Sequence, residues 1–296
     1  SFTLASKPFN YRIMAGIGDN TSKVTKYDNP NRTLTDPYEG QQLGEIWGYV
    51  VDGYFKTDEE ARNYKVDQSF VNQMINASAL DNGLHAGDLK FVDLDGNNKI
   101  EQTTSANDRK DMKVIGNSLP RYNYNFGISA DWYGIDFSVL FQGIGKQNWY
   151  PGAETSMFWG PYSRPYASFI PSDFMSQVWS EENTDAYFPR PRGYVALGSN
   201  RELAVVNTKY LQNLAYCRLK NLSIGYTLPD KWLSKIGFEK IRVYFSGENL
   251  LTFTKLHSDY IDPEQASASN SWKTSKSDAN IYPWAKTYSF GVDITF

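Results

Sequence analysis

The feature that most constrains this chain is strict two-residue alternation. At its end Tyr288, Phe290, Val292, Ile294 and Phe296 alternate with Thr287, Ser289, Gly291, Asp293 and Thr295, so an extended backbone acquires one apolar and one polar face. A second segment sets Tyr122, Tyr124, Phe126, Ile128, Ala130 and Trp132 against Asn123, Asn125, Gly127, Ser129 and Asp131. Tyr133 and Gly134 follow as a two-residue turn before Ile135, Phe137, Val139 and Phe141 resume the pattern, which predicts a hairpin. Further strands are predicted over Phe9 to Ile17, about Tyr210 to Thr227, and Ile241 to Leu251. Helical periodicity is confined to short stretches, Thr57 to Tyr64 with Thr57 as cap, and Asp230 to Ile236 after Pro229.

No apolar run reaches the length of about 18 residues that a spanning helix needs. Barrel strands hide their apolar residues in alternation, so a membrane-spanning barrel stays open. The 21 Tyr, 17 Phe and 8 Trp, with 22 Gly, favour an all-β chain rich in turns. A net charge of -3 gives nucleic acid no basic surface to bind. The one cysteine, Cys217, rules out a disulfide framework, and with only His85 and His257 a histidine-based zinc or catalytic centre lacks ligands. No secretory signal is visible near Ser1, which is read as removal or truncation.

Connection lengths carry the organisation. Long loops are predicted at about 18–121, 143–209 and 252–284, alternating with the minimal Tyr133-Gly134 turn and the compact Pro229 to Lys240 link. Long loops at one end and short turns at the other describe an outer-membrane barrel, with a soluble β-sandwich as the alternative. The six or seven barrel-length strands are too few to close a single-chain barrel, which predicts a C-terminal piece of a larger one with the missing strands before Ser1.

Several stretches carry a family resemblance. They are GEIWGYVVDGYF (44–55), GDLKFVDLDGNNKI (87–100), DRKDMKVIGNSLPRYNYNFGIS (108–129), VWSEENTDAYFPR (178–190), YCRLKNLSIGYTLP (216–229), IRVYFSGENLLTFTK (241–255) and the terminal YPWAKTYSFGVDITF. In order and spacing the chain resembles the C-terminal part of the SusC/RagA family of TonB-dependent outer-membrane transporters. The resemblance implies an all-β fold, a transmembrane antiparallel barrel of 22 strands with long extracellular loops, of which residues 1–296 form the C-terminal part. It implies TonB-dependent uptake of oligosaccharides, or of peptides, captured with a SusD-like surface lipoprotein, and no enzymatic activity. The signal peptide, the plug and the TonB-interacting segment are N-terminal in the family and absent from these residues. The alternative from another class is a soluble secreted β-sandwich that binds glycans.

Two motifs stand out chemically. Asp93, Asp95 and Asn97 place oxygens at positions 1, 3 and 5 of a loop whose position 7 carbonyl is that of Lys99, the opening of an EF-hand-like calcium loop. Asn98 replaces the usual glycine at position 6 and accepts left-handed angles. Thr104 stands where a closing carboxylate belongs, so Asp108 is the candidate closing ligand and Glu101 a reserve. The alternative is a tight turn whose Asp and Asn side chains bond their own backbone. Calcium is the one candidate cofactor; no organic cofactor is indicated.

Trp149, Tyr150, Trp159 and Tyr162, with Phe158 and Tyr166, form an aromatic cluster in a long loop. Flat rings exposed there are candidate glycan contacts, against the alternative that they pack the loop. Tyr288, Phe290, Phe296, Trp132 and Tyr133 suit an aromatic girdle, and terminal Phe296 resembles an outer-membrane assembly signal. Glu181, Glu182 and Asp185 are read as solvated loop charge, since no spacing makes them a catalytic pair.

Overall fold

The structure is a computed structural model that describes residues 2–6, 9–72, 83–164, 169–198, 201–233, 237–268, 276–277 and 282–296. Seven strands form one antiparallel sheet in chain order: β1 (Phe2–Ser6), β2 (Phe9–Gly18), β3 (Arg121–Trp132), β4 (Ile135–Lys146), β5 (Tyr216–Thr227), β6 (Lys240–Thr254) and β7 (Thr287–Thr295). The sheet is open, with β1 and β7 at its edges. The other sheets among the described residues have only two or three strands, so the wall has no second large sheet with which to form the sandwich held as the alternative.

The hairpin turn forms at Tyr133 and Gly134, both at positive φ (45° and 85°), as the two-residue turn compatible with strand twist requires. β5 begins later than the alternation suggests, at Tyr216, because Gln212 and Asn213 pair instead with Trp149 and Asn148. Facing register shifts interrupt β5 between Leu219 and Asn221 and β6 between Glu248 and Leu251, where Asn249 adopts a left-handed φ of 53°.

Both short helices start where expected. In the first, Asp58–Arg62, the Thr57 hydroxyl accepts from the Glu60 amide at 3.1 Å, and the Glu60 carboxylate accepts from the Lys56 amide at 2.9 Å. The second covers Asp230–Leu233, and the remainder of its expected span, 234–236, lies outside the described residues.

All short connections leave one end of the sheet and all long ones the other. Residues 19–120, 147–215 and 255–286 therefore share one rim. There they build the main core of the chain: Tyr54, Leu89 and Phe91 from the first segment, Trp159, Phe188 and Tyr210 from the second, and Leu256 and Ile261 from the third pack into one buried cluster. A one-layer wall has no interior of its own, so the apolar surface that leaves water gathers in the loops.

Four charges, three of them buried, lock this layer. Asp88 takes Arg190 at 2.5 Å and also pairs with Arg192, which reaches Glu202 at 3.0 Å. Burial and the neighbouring Asp88 push the Glu202 carboxyl up against the pull of Arg192.

Candidate functional site

The two faces of the wall separate cleanly by register. On one face Tyr11, Ala130, Phe137, Ile224, Phe245 and Phe290 stand side by side across six strands. One residue along each strand, on the opposite face, Arg12, Ser129, Ser138, Ser223, Ser246 and Ser289 form a second row. The strand period of two converts one alternating sequence into an apolar outside and a hydroxyl-lined inside at the same height. Trp132, Tyr133, Trp232 and Phe296 are exposed near the short-turn rim, where an aromatic girdle would lie.

The polar face is braced by ions. The Arg242 guanidinium lies across Gly225 of β5 to reach Asp136 of β4 at 2.6 and 2.8 Å, and on its other side reaches Asp293 of β7 at 3.1 Å. A Cβ at Gly225 would stand 2.6 Å from the Arg242 Nε, so glycine is what lets one side chain bridge three strands. Beyond the register shifts, Arg218 is buried between Asp262 at 2.6 Å and Glu264 at 2.7 Å, and Lys220 shares Glu264 at 2.8 Å. These ion pairs pin the third long connection to the rim of β5.

Beside them opens a cavity of about 210 Å³ lined by Arg218, Thr252, Thr254, Asp259, Asp262 and Trp284, among others. The Trp284 indole is half exposed, with Lys220 5.5 Å from its ring. Hydroxyls, carboxylates and one flat ring meet there, a combination that recognises a polar ligand with an apolar face. Nothing in the alternation pointed to this place, because Trp284 precedes β7 and Asp259 and Asp262 lie in the loop before it.

The aromatic cluster corrects an expectation. Trp149, Tyr150 and Trp159 are 0% exposed and Tyr162 1%. Trp159 donates from Nε1 to the Gly152 carbonyl at 2.9 Å, the Tyr150 hydroxyl donates to the Leu203 carbonyl at 2.8 Å, and the Tyr162 hydroxyl to the Pro189 carbonyl at 2.6 Å. The polar tips of Tyr150, Trp159 and Tyr162 are satisfied inside the loops, Trp159 meets Phe158 and Tyr210 and Tyr162 meets Phe188, and with all four rings buried none is presented to a glycan. Burial also drives the Tyr150 and Tyr162 hydroxyls far above the usual tyrosine range. Tyr166 lies outside the described residues. Glu181, Glu182 and Asp185 are exposed.

The acidic loop forms with one substitution in its ligand set. Asp93, Asp95 and Asp111 bring carboxylate oxygens within 4.8 Å of one another. Asp108 is not among them. Its backbone amide closes a turn onto the Ser105 carbonyl at 3.1 Å, and the third carboxylate of the group is Asp111. Asp111 is wholly buried and accepts from the Leu94 amide at 2.9 Å and the Glu101 amide at 2.7 Å. Its carboxyl is pushed up by burial first and then by Asp95 and Asp93.

The rest of the loop follows the Asp/Asn turn pattern. Asp93 accepts from the Gly96 and Asn98 amides, both at 2.7 Å, and Asn98 has the expected left-handed φ of 63°. The Asn97 side-chain oxygen accepts from the Lys99 amide at 2.7 Å. The carboxylates of Asp93, Asp95 and Asp111 are hard oxygen donors of the kind calcium takes. Asp111 was legible only as an acid downstream of the motif; spacing alone favoured the nearer Asp108.

No protein-family model matches the chain. Among curated proteins it is 28% identical over 264 residues to TonB-dependent receptor P3 of Formosa agariphila, covering 87% of this chain and 22% of that protein. TonB-dependent receptor P39 of the same organism is 25% identical, with 99% of this chain and 30% of that protein covered. The chain thus spans between a fifth and a third of the length of these relatives. Among solved structures, the RagAB peptide importer in its open-open state matches with a TM-score of 0.63 and 19% identity, covering 99% of this chain and 27% of that one. Its closed-closed state matches with a TM-score of 0.58 and 21% identity, and 28% of that chain is covered. These structural likenesses are of fold.

Proposed function

We propose, for a chain that is SusC/RagA-like and forms barrel wall of a TonB-dependent transporter in the bacterial outer membrane, that the whole protein imports oligosaccharides across that membrane. The observation that carries this reading is the two-sided wall: a continuous apolar row outside, a hydroxyl and ion-pair row inside, and every long connection on one rim. A polar inner face opposite a lipid-facing outer one fits a barrel whose lumen holds water or a plug. The long-loop rim is the extracellular one, where a SusD-like lipoprotein holds cargo before it enters, and TonB powers release through the part of the protein that carries the plug.

Cargo class follows from the inner rim. The 210 Å³ cavity, with the half-exposed Trp284 and its ring of hydroxyl and carboxylate groups, suits a sugar residue. Peptide is the second reading, favoured by the fold shared with a RagAB chain described as a peptide importer. Uptake of labelled oligosaccharides and of labelled peptides by cells with and without the intact protein tests both. Oligosaccharide entry that disappears with the protein supports the first reading; loss of peptide entry alone replaces it with the second; unchanged entry of both overturns import.

The acidic loop contributes by stiffening the first long connection around calcium. Millimolar calcium against EDTA should raise the melting temperature of the detergent-solubilised intact protein. The shift should vanish in Asp93→Ala and persist in Asp108→Ala. An equal melting temperature in both buffers would leave the loop a self-bonded turn.

A further inference from the structure

The charges around the 210 Å³ cavity narrow what can enter it. Arg218 and Asp262 line it, and both are already engaged. Arg218 donates from Nε to the Thr252 hydroxyl at 2.9 Å, from Nη1 to Glu264 at 2.7 Å and from Nη2 to Asp262 at 2.6 Å, so each nitrogen of the guanidinium has a partner. Asp262 Oδ1 accepts from the Glu264 and Gln265 amides at 2.9 and 3.4 Å, at the start of the short helix Pro263–Ala268. Its Oδ2 accepts from the Trp284 amide at 3.3 Å as well as from Arg218. One carboxylate thereby ties the helix and the segment bearing Trp284 to β5, and fixes the ring at the cavity.

The ion pairs of this rim join Arg218 to Asp262 and Glu264, and Lys220 to Glu264. Among the described residues that leaves Asp259 and Lys286 as exposed charges of opposite sign in the lining. Arg218, Lys220 and Lys286 thus stand against Asp259, Asp262 and Glu264, and the site carries no net charge. A charged ligand loses hydration on entering, and only a surplus of the opposite charge offsets that loss. Neither sign is in surplus here. A cationic sugar also finds the indole occupied, because the Lys220 ammonium already lies 5.5 Å from its centroid and repels a second cation there.

A neutral sugar meets no such penalty. Its hydroxyls both donate and accept, so Asp259 can accept from one and Lys286 can donate to another, each a charge-assisted bond. The Thr252 oxygen, which accepts from Arg218, keeps its own hydrogen to donate. The half-exposed Trp284 indole offers a flat surface to the C–H face of the sugar ring.

We propose that the cavity selects an uncharged sugar residue, stacked on Trp284 and held through its hydroxyls by Asp259 and Lys286, over uronic, sulfated and amino sugars. The proposal rests on the reading of this cavity as a sugar site and adds the charge class of what it takes.

The test applies the fluorescently labelled intact protein, in a detergent without a sugar headgroup and at low salt, to an array of tetra- to hexasaccharides. The array carries neutral malto-, cello-, manno- and xylo-oligosaccharides, oligogalacturonates, sulfated carrageenan oligomers and chitosan oligomers. Binding should fall on the neutral class alone. Trp284→Ala, which truncates a half-exposed ring, should lower it about tenfold at an unchanged melting temperature. Asp259→Lys turns the balance positive and should bring binding of oligogalacturonates that the unaltered protein lacks. A charged class bound as strongly as the neutral one, and lost in Trp284→Ala, would overturn the selectivity while leaving the sugar site standing. Neutral binding indifferent to Trp284→Ala would overturn the proposal by placing the sugar elsewhere, and an Asp259→Lys variant that still ignores oligogalacturonates would overturn charge balance as its basis. Absence of binding to every class would overturn the sugar reading of the cavity and the proposal with it.

Discussion

Replacing Trp159 by alanine is expected to cost the loop layer about 3–5 kcal/mol, the range for removing a large buried ring. Trp159 is wholly buried, meets Phe158 at 4.8 Å and Tyr210 at 5.2 Å, and holds the Gly152 carbonyl. The loss falls on the layer and spares the wall, because the strands are held by their own ladder and share few side chains with this cluster. Hydrogen exchange on the folded intact protein reads it out. Amides of residues 147–215 should exchange much faster in the variant while those of β3 to β6 keep their protection. Unchanged loop protection, with loss of glycan binding only, would restore Trp159 as a ligand contact.

The second large effect separates two neighbours. Phe290→Arg places a cation on the lipid face, at a cost of about 2–4 kcal/mol near the bilayer midplane. Ser289→Arg places the same cation on the polar face, in the serine row and away from lipid, and should cost far less. Phe290 is 83% exposed in the isolated wall and aligned with Phe245, whereas Ser289 is aligned with Ser246. Heat-modifiable migration of the folded barrel in outer-membrane fractions checks the pair: Ser289→Arg should assemble at nearly normal levels and Phe290→Arg should be sharply depleted. Equal depletion would mean that the two faces are assigned wrongly.

Both predictions rest on different depths of reading. The alternation at Tyr288 to Phe296 and Tyr122 to Trp132 is local, and local periodicity survived into register: Phe290, Val292 and Ile294 lie beside Phe245, Val243 and Ile241, and Phe126, Ile128, Ala130 and Trp132 beside Phe141, Val139, Phe137 and Ile135. The two-residue turn at Tyr133 and Gly134 and the cap at Thr57 were legible for the same reason, since each is settled by a few neighbouring residues. Where β5 begins was not, because the pairing of Gln212 with Trp149 competes for the chain from far away in sequence.

The candidate sites show the same division more sharply. The loop motif identified Asp93, Asp95 and Asn97 by spacing, yet chose Asp108 over Asp111, because which acid turns inward depends on how the chain crosses back over the loop. The aromatic cluster was found and its surroundings misjudged. A tryptophan in a polar loop has the same sequence whether it meets water or three other rings.

What the sequence by itself determined, then, is the character of the wall: strands of period two, their faces, their single shared rim of long connections, and the family resemblance those segments carry. What only the tertiary structure decided is which rings are interior, which acids converge and where cavities remain. Facing is a property of one strand and is written along it. Burial is a property of segments such as 45–100, 147–215 and 256–266 meeting in space, and no one of them encodes what the others will cover.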